Sequence, residues 1–452
     1  MRAIPTLKIS ISGVRGVVGD SLTPALLTRF AQAFGTYAGS GTVVLGRDTR
    51  TSGEMVRQAV VSGLLSSGCR IVDAGVCPTP TVQLLVRKLR AAGGIAITAS
   101  HNPPEWNALK FVGPDALFLS GARGRELLDI YHQGEYTKAR SQRIRTVEAL
   151  TDALDQHLAA VLEAVGPLPA GGRRLKVVLD ACNGAGAIVG PRLLEALGVD
   201  VVGIHTTPDG KFPRPAEPTP ENLKALCAAV REQGADIGFA QDMDADRLAI
   251  VSERGDPIGE ERTLVLAVEH VLRRTPGPVV ANLSTTHALE LVAARYGCAV
   301  YRTPVGEANV TEGMLRHRAV IGGEGNGGVI YPRINFARDS LVGMGLILHR
   351  LAESGQTVSA LVAALPRLEI VKMQFPFPSQ RLGEVFRKAR REFADYPLDV
   401  RDGVKVTLAD AWFLLRGSNT EPVMRVVAEA ATEDAARSLA LRIRGRVEEW
   451  LG

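Results

Sequence analysis

Ser100 stands in "ITASHNPPEWNALKF", between an apolar run and a stretch holding a histidine, two prolines and an asparagine. Gly94 to Thr98 reads as a strand, and the prolines after Asn102 block an immediate helix. Ser100 is therefore expected on an ordered loop at a strand's carboxyl end. A hydroxyl displayed there can attack a substrate or carry a group once something activates it, and His101 and Lys110 are nearby donors or acceptors. Two other readings stay open. Ser100 and Asn102 can simply cap the turn, and a serine hydrolase is conceivable, although the Gly-x-Ser-x-Gly elbow is absent.

Three further loops carry chemistry-bearing residues. In "DIGFAQDMDADRLAIVSE" an apolar strand ends near Ala240, Asp242, Asp244 and Asp246 follow at alternate positions, and Arg247 opens the next strand. Three carboxylates so close repel one another unless a cation joins them, and Mg²⁺ takes oxygen ligands of this kind. An EF-hand would need a longer loop, and a solvated acidic turn is the plainer alternative. In "VIGGEGNGGVIYP" the glycines let backbone approach a ligand, and Glu324 and Asn326 suit sugar hydroxyls, unless the stretch is only a hairpin turn. In "RGSNTEP", Arg416, Ser418, Asn419 and Thr420 offer a guanidinium fork, hydroxyls and an amide to a phosphate dianion, again with a bare turn as the alternative. "DACNGAGAIVG" is misspaced for a dinucleotide fingerprint and reads better as a tight strand-to-helix turn.

The elements that must position these loops repeat. "TVVLGRDTRTSGEMVRQAVVSGLLSSG", "LKVVLDACNGAGAIVGPRLLEALG" and "PVVANLSTTHALELVAARYG" each run from a buried strand through a polar or glycine-bearing turn into a helix. Such recurrence at long intervals suits consecutive α/β domains with mixed sheets. The end of the chain differs. "AWFLLRGSNTEPVMRVVAEA" reads as strand, turn, strand, and Thr432 is placed to cap a helix from Glu433 to Leu451, giving a smaller α+β domain. The proline-punctuated Lys372–Gln380 stretch is expected to be the linker before it. Domains are drawn at 1–150, 151–252, 253–369 and 370–452.

A chain of 452 residues with net charge +5 is long enough for several cores, and its charges are interspersed, which suits anionic small substrates better than a nucleic-acid track. The five cysteines are scattered and odd in number, so neither a disulfide framework nor a zinc site is expected. No signal peptide or membrane-length apolar run is found, and a soluble cytoplasmic protein is expected.

Taken together, "TASHNP", "DMDADR", "GEGNGG" and "RGSNTEP", with "SGVRGVVG" and "GVCPTPT", make the sequence resemble the α-D-phosphohexomutase superfamily along its whole length. The resemblance implies four domains around a central cleft and a reversible exchange of sugar 1-phosphate and 6-phosphate. It makes Ser100 a phosphoserine carrier, and Mg²⁺ is held by Asp242, Asp244, Asp246 and a phosphoserine oxygen. A sugar bisphosphate is the intermediate and the activator that phosphorylates Ser100. Lys110 and His101 are placed to handle the hydroxyl proton, Lys110 foremost, and Arg15 and Arg247 to steady the phosphoserine. Arg416, Ser418, Asn419 and Thr420 hold the distal phosphate, and Glu324 and Asn326 read hydroxyls. The partners implied are sugar phosphates, with no nucleic acid or membrane, in a monomer or homodimer.

Two departures bear on substrate: Asn326 stands where serine is usual, and Gly328 where many bacterial members carry histidine. Glu307, in "TPVGEANV", occupies a position that tends to be acidic in phosphoglucosamine mutases. It therefore favours a glucosamine phosphate over the phosphomannomutase/phosphoglucomutase alternative. A catalytically silent sugar-phosphate sensor is a remoter reading, since a sensor needs no phosphoryl carrier.

Overall fold

The computed structural model describes residues 6–10, 13–169, 173–418 and 422–451. It divides into two compact units, residues 1–270 with 326–361, and residues 271–325 with 362–452. No helix among the described residues is long and apolar enough to cross a membrane.

The first unit is built on two mixed sheets. One contains β1 (Lys8–Ser10), β2 (Gly13–Val17), β3 (Thr42–Arg47), β4 (Arg70–Val76), β5 (Gly93–Ile97), β6 (Trp106–Val112) and β7 (Val147–Ala149), in the order β1-β2-β6-β5-β3-β4-β7. Its β3, β4, β5 and β7 pair in parallel, and β6 returns antiparallel to β5. Every residue of β5 is buried, as a central strand with both faces covered must be. The apolar faces of helices Pro24–Tyr37 and Gly53–Ser66 close one side, where Phe30, Phe34, Val60 and Leu64 meet Val43, Leu45 and Ile95 in a single core.

The other sheet contains β8 (Lys176–Asp180), β9 (Asp200–Ile204), β10 (Ile237–Gln241) and β11 (Leu248–Ser252), ordered β11-β10-β8-β9. Its one antiparallel pair, β10 with β11, brackets the triple-aspartate loop. Strand β10 ends at Gln241, immediately before Asp242, as the apolar run predicts.

In the second unit β12 (Val279–Asn282) pairs in parallel with both β13 (Val300–Thr303) and β14 (Ile321–Glu324). The next strand, β15 (Gly328–Ile330), belongs to the first unit. A five-stranded sheet completes the second unit: β16 (Glu369–Pro376), β17 (Leu398–Asp399), β18 (Val404–Thr407), β19 (Ala411–Gly417) and β20 (Val423–Ala430), ordered β16-β20-β19-β18-β17 and antiparallel throughout. Helix Glu433–Leu451 packs Leu439, Ile443 and Val447 onto this sheet, and the Ala435 N–H donates to the Thr432 hydroxyl at 3.3 Å, the cap expected from the sequence. One expectation is corrected here. Lys372 to Pro376 is not linker but most of edge strand β16, which pairs with β20 along its length. Proline is tolerated at the last position of an edge strand, so Pro376 marks the strand's end rather than its absence.

Candidate active site

Ser100 sits just past the carboxyl end of β5, as the sequence predicts, and its backbone is left-handed at φ +50°. A residue with a Cβ adopts that conformation only where its surroundings over-determine it. The surroundings here are a buried arginine. Arg50 donates from Nη2 to the Ser100 and Asn102 carbonyls, at 2.7 Å each, and from Nη1 to the Pro103 and Trp106 carbonyls, at 2.6 and 2.9 Å. Its Nε donates to Asp48 at 3.1 Å, and Asp48 in turn accepts from Thr98, whose Oγ1 receives the Ser100 N–H at 2.9 Å. The serine loop is thus wrapped around one guanidinium.

The Ser100 hydroxyl donates to Asp242 Oδ2 at 2.8 Å. Asp242, Asp244 and Asp246 are all buried, and each offers an oxygen within 4.8 Å of the others. Their loop turns through Ala245, also left-handed at φ +55°, so alternate carboxylates point to one place. Asp244 is fixed by the Thr79 hydroxyl at 2.6 Å and by Lys110 Nζ at 2.7 Å. Asp246 is fixed by Arg338 at 2.5 Å. The Ala245 carbonyl accepts from the Ser340 hydroxyl and N–H, at the start of helix Ser340–Ser354. A buried relay of Thr81, His157 and Asp339, with distances of 2.8 and 2.7 Å, ties that helix start to the one bearing Thr79.

The electrostatics follow from burial and proximity. Burial, reinforced by Asp246 and Asp244, pushes the Asp242 carboxyl well above the usual range. Burial opposes ionisation of Asp244 too, but Lys110, together with the hydrogen bonds from Lys110 and Thr79, holds it below that range. Burial works against the Lys110 ammonium, and Asp244 and Asp246 outweigh it, so its pKa is raised and it keeps its proton. His101 is the reverse case: the Arg247 guanidinium, then burial, Arg15 and Lys110, press it down to about 2. It is therefore neutral, and because arginine only donates, its Nδ1 accepts from Arg247 Nη2 at 3.2 Å.

The residues present fit a divalent cation. The Oδ1 atoms of Asp244 and Asp246 are buried and have no hydrogen-bond partner among the described residues, an arrangement suited to a hard cation and costly otherwise.

Ser100, His101, Lys110, Arg15, Arg247 and the three aspartates all belong to the first unit, with Arg15 donating to Asn102 Oδ1 at 3.3 Å. Asn326 belongs there too, and its Oδ1 serves its own turn, accepting the Gly328 N–H at 3.2 Å. Glu307, Glu324, Arg416 and Ser418 belong to the second unit. Glu324 Oε1 accepts from Asn282 Nδ2 at 2.7 Å and from the Gly306 N–H at 3.1 Å. Glu307 is buried at the start of helix Glu307–His317 rather than turned to solvent. Asn419 and Thr420 lie outside the described residues. The glycines of "DACNGAG" serve packing: a Cβ on Gly184 would fall 2.5 Å from the Met243 carbonyl oxygen, and one on Gly186 2.1 Å from Gln241 Oε1. Sequence reasoning missed Arg50, Thr79 and Arg338. The signals were an arginine two residues after an aspartate at the end of β3, a threonine inside an already recognised motif, and an arginine before the helix-capping Asp339.

Four consecutive segments match the families described as phosphoglucomutase/phosphomannomutase alpha/beta/alpha domains I, II and III and C-terminal domain, over residues 7–138, 155–255, 260–368 and 365–446. The chain belongs to the phosphohexomutase superfamily. A "Phosphoglucomutase/phosphomannomutase" of Thermococcus kodakarensis is 38% identical over 94% of this chain and 95% of its own. A "Probable phosphoglucosamine mutase" of Methanopyrus kandleri is also 38% identical, over 95% of each. Among solved structures, a phosphoglucomutase/phosphomannomutase family protein from Burkholderia thailandensis superposes with a TM-score of 0.85 at 28% identity, covering 99% of this chain and 96% of that one. This phosphohexomutase is accordingly an intramolecular phosphotransferase with an acidic triad able to hold a metal ion.

Proposed function

We propose that this phosphohexomutase interconverts glucosamine 1-phosphate and 6-phosphate in the cytoplasm, with Ser100 as the phosphoryl carrier and a sugar bisphosphate as both intermediate and activator. The observation that carries the reading is the Ser100 hydroxyl, held in a left-handed turn and bonded to one of three convergent buried aspartates. Asp242, Asp244, Asp246 and a phosphoserine oxygen would hold Mg²⁺, which when bound supplies positive charge to the phosphoryl oxygens.

The chain's own residues do the rest. Lys110 lies 2.7 Å from Asp244, Arg338 2.5 Å from Asp246, and Arg247 3.8 Å from Asp246 and 3.0 Å from Glu217, so the cations around the loop are already engaged by carboxylates. A phosphate on Ser100 adds about −1.5 to −2 charge to this balance, which is the excess a divalent cation offsets. Phosphoryl transfer demands alignment and charge stabilisation more than covalent help. Arg50 supplies the alignment by fixing the serine backbone. Lys110, protonated at rest, gives positive charge and a proton to the Ser100 oxygen as its bond to phosphorus breaks and, so deprotonated, takes the proton of the attacking sugar hydroxyl; the reverse half runs the same two transfers backwards. His101, kept neutral, orients Arg247 rather than supplying charge. Arg15 and Arg247 steady the phosphoserine. Arg416 and Ser418, with Asn419 and Thr420, hold the distal phosphate, and Glu324 and Asn326 read hydroxyls.

Glucosamine is favoured over glucose or mannose by Glu307, whose buried carboxylate suits the 2-ammonium group, and several relatives carry the phosphoglucosamine mutase name. Incubating the protein with Mg²⁺ and glucosamine 1,6-bisphosphate should add one phosphate, mapped to Ser100 by mass spectrometry. An unphosphorylated Ser100 would return the chain to the class of sugar-phosphate sensors. For the sugar, Glu307→Gln should lower kcat/KM for glucosamine phosphate about tenfold relative to glucose phosphate, one charge contact's worth. An unchanged ratio in side-by-side assays would remove Glu307 as selector.

A further inference from the structure

Within the second unit, one carboxylate oxygen joins two parts of the substrate machinery that the sequence keeps far apart. Asp402 Oδ2 accepts the Arg416 Nε–H at 2.8 Å and the Val305 backbone N–H at 2.9 Å. The next backbone N–H, that of Gly306, goes to Glu324 Oε1. Two consecutive peptide N–H groups of the 304–307 turn are therefore claimed by two carboxylates. One is bonded to the proposed phosphate-binding arginine, and the other is the proposed sugar reader.

The turn that carries Asp402 is itself pinned. Gly403 has φ +86°, and a Cβ there would fall 2.2 Å from the Leu415 carbonyl oxygen, so only glycine lets the turn lie this close to β19 beside Arg416. Arg401 in the same turn donates to the Arg302 carbonyl at 2.6 Å, which adds a second tie to the end of β13. Asp402 is mostly shielded, with a side chain 19% exposed beside an Arg416 side chain 12% exposed. A charge-assisted bond in such surroundings holds a guanidinium more firmly than one in open solvent.

We infer that Asp402 is a positioning residue which sets the Arg416 guanidinium and the 304–307 turn as one piece, so that phosphate grip and sugar discrimination are tuned together. Because Asp402 takes the Nε edge of Arg416, the Nη edge is the one presented to a phosphate. Because the same oxygen takes the Val305 N–H, the turn bearing Gly306 and Glu307 is fixed relative to that edge. The inference rests on the reading of Arg416 as the phosphate ligand, and goes beyond it by assigning selectivity to a residue that need not touch the sugar.

The experiment compares Asp402→Ala, Asp402→Asn and Arg416→Ala with the wild type in the full-length, Mg²⁺-supplied enzyme. KM, kcat and the ratio of kcat/KM values are read for glucosamine, glucose and mannose phosphates, with inhibition by inorganic phosphate as a ligand-only readout. Arg416→Ala should raise KM and the phosphate inhibition constant about 10- to 100-fold for every sugar, leaving the ratio among sugars unchanged. Asp402→Ala should raise KM about tenfold, with kcat within about threefold, and should also shift the sugar ratio by about threefold or more. Asp402→Asn keeps an acceptor oxygen for both N–H groups and should restore most of the ratio. This rescue separates positioning from a general loss of folding. A wild-type sugar ratio in Asp402→Ala, whatever its KM, overturns the inference. An unchanged KM in Arg416→Ala overturns the phosphate-grip reading instead, and the two failures are read from different variants.

Discussion

Ser100→Ala should abolish mutase turnover, with kcat/KM falling by more than about 10⁴-fold for every sugar phosphate, while the protein stays folded. The hydroxyl lost is the atom proposed to carry the phosphoryl group, and no other hydroxyl of the described residues bonds to the aspartate triad except that of Thr79. A coupled assay with glucosamine 6-phosphate, Mg²⁺ and a catalytic amount of bisphosphate reads the loss. Turnover within about tenfold of wild type would reject the carrier role. Stability should move little, because only one hydrogen bond to Asp242 disappears. Ser100→Gly adds an internal check. It is just as inert, yet it relieves the left-handed backbone at φ +50°, and should be about 1 kcal/mol more stable than the alanine variant in chemical denaturation. Equal stability of the two would mean that the loop does not store backbone strain.

Much of this geometry was legible in the sequence because its signals are local. The carboxylates at alternate positions between two apolar runs become a loop between antiparallel β10 and β11, an interval too short for a parallel crossover. Likewise Thr432 before an apolar-periodic segment caps the last helix at the residue expected. The errors arise where a local signal has two structural meanings. Prolines 376 and 378 read as linker, yet the alternation of Met373 and Phe375 with Lys372 and Gln374 already had strand period, and an edge position accommodates the proline. What could not be read was long-range convergence. Arg338 reaches Asp246 across 92 positions, and Asp402 reaches Val305 across 97; neither has a sequence signature, because each contact is made only when separate elements have packed. The same holds for the division of Glu324 and Asn326, two residues apart in one motif yet members of different compact units.

Arg50→Met should be the most destabilising single substitution at the site, by about 3–5 kcal/mol, because it strips one partner from a fully buried ion pair and leaves four carbonyls without their donor. Methionine roughly fills the volume, so the loss is one of charge and hydrogen bonding rather than a cavity. Lysine would not rescue it, since three donors on a tetrahedral ammonium cannot reproduce five donors in a planar fork. The remaining Asp48 gives the effect a pH signature. Burial already raises its pKa, Arg50 is the main force pulling it back, and the Asp244 carboxylate pushes the same way as burial. Without Arg50 the folded-state pKa climbs further above the unfolded value. A carboxyl so shifted costs nothing while both states are protonated, and costs progressively more as pH rises and only the unfolded state releases its proton. The stability gap between Arg50→Met and wild type should therefore be larger at pH 8 than at pH 5 in denaturant titrations. A gap that is constant across that range would mean that Asp48 finds another cation when Arg50 is gone. Turnover should fall as well, by about 10²-fold even where the variant remains folded, because the Ser100 carbonyl is no longer held and small misplacements of a reacting group are that costly. A folded variant with wild-type kcat would separate the scaffold of the serine loop from its chemistry, and alignment would then have to come from the Asp242 contact alone.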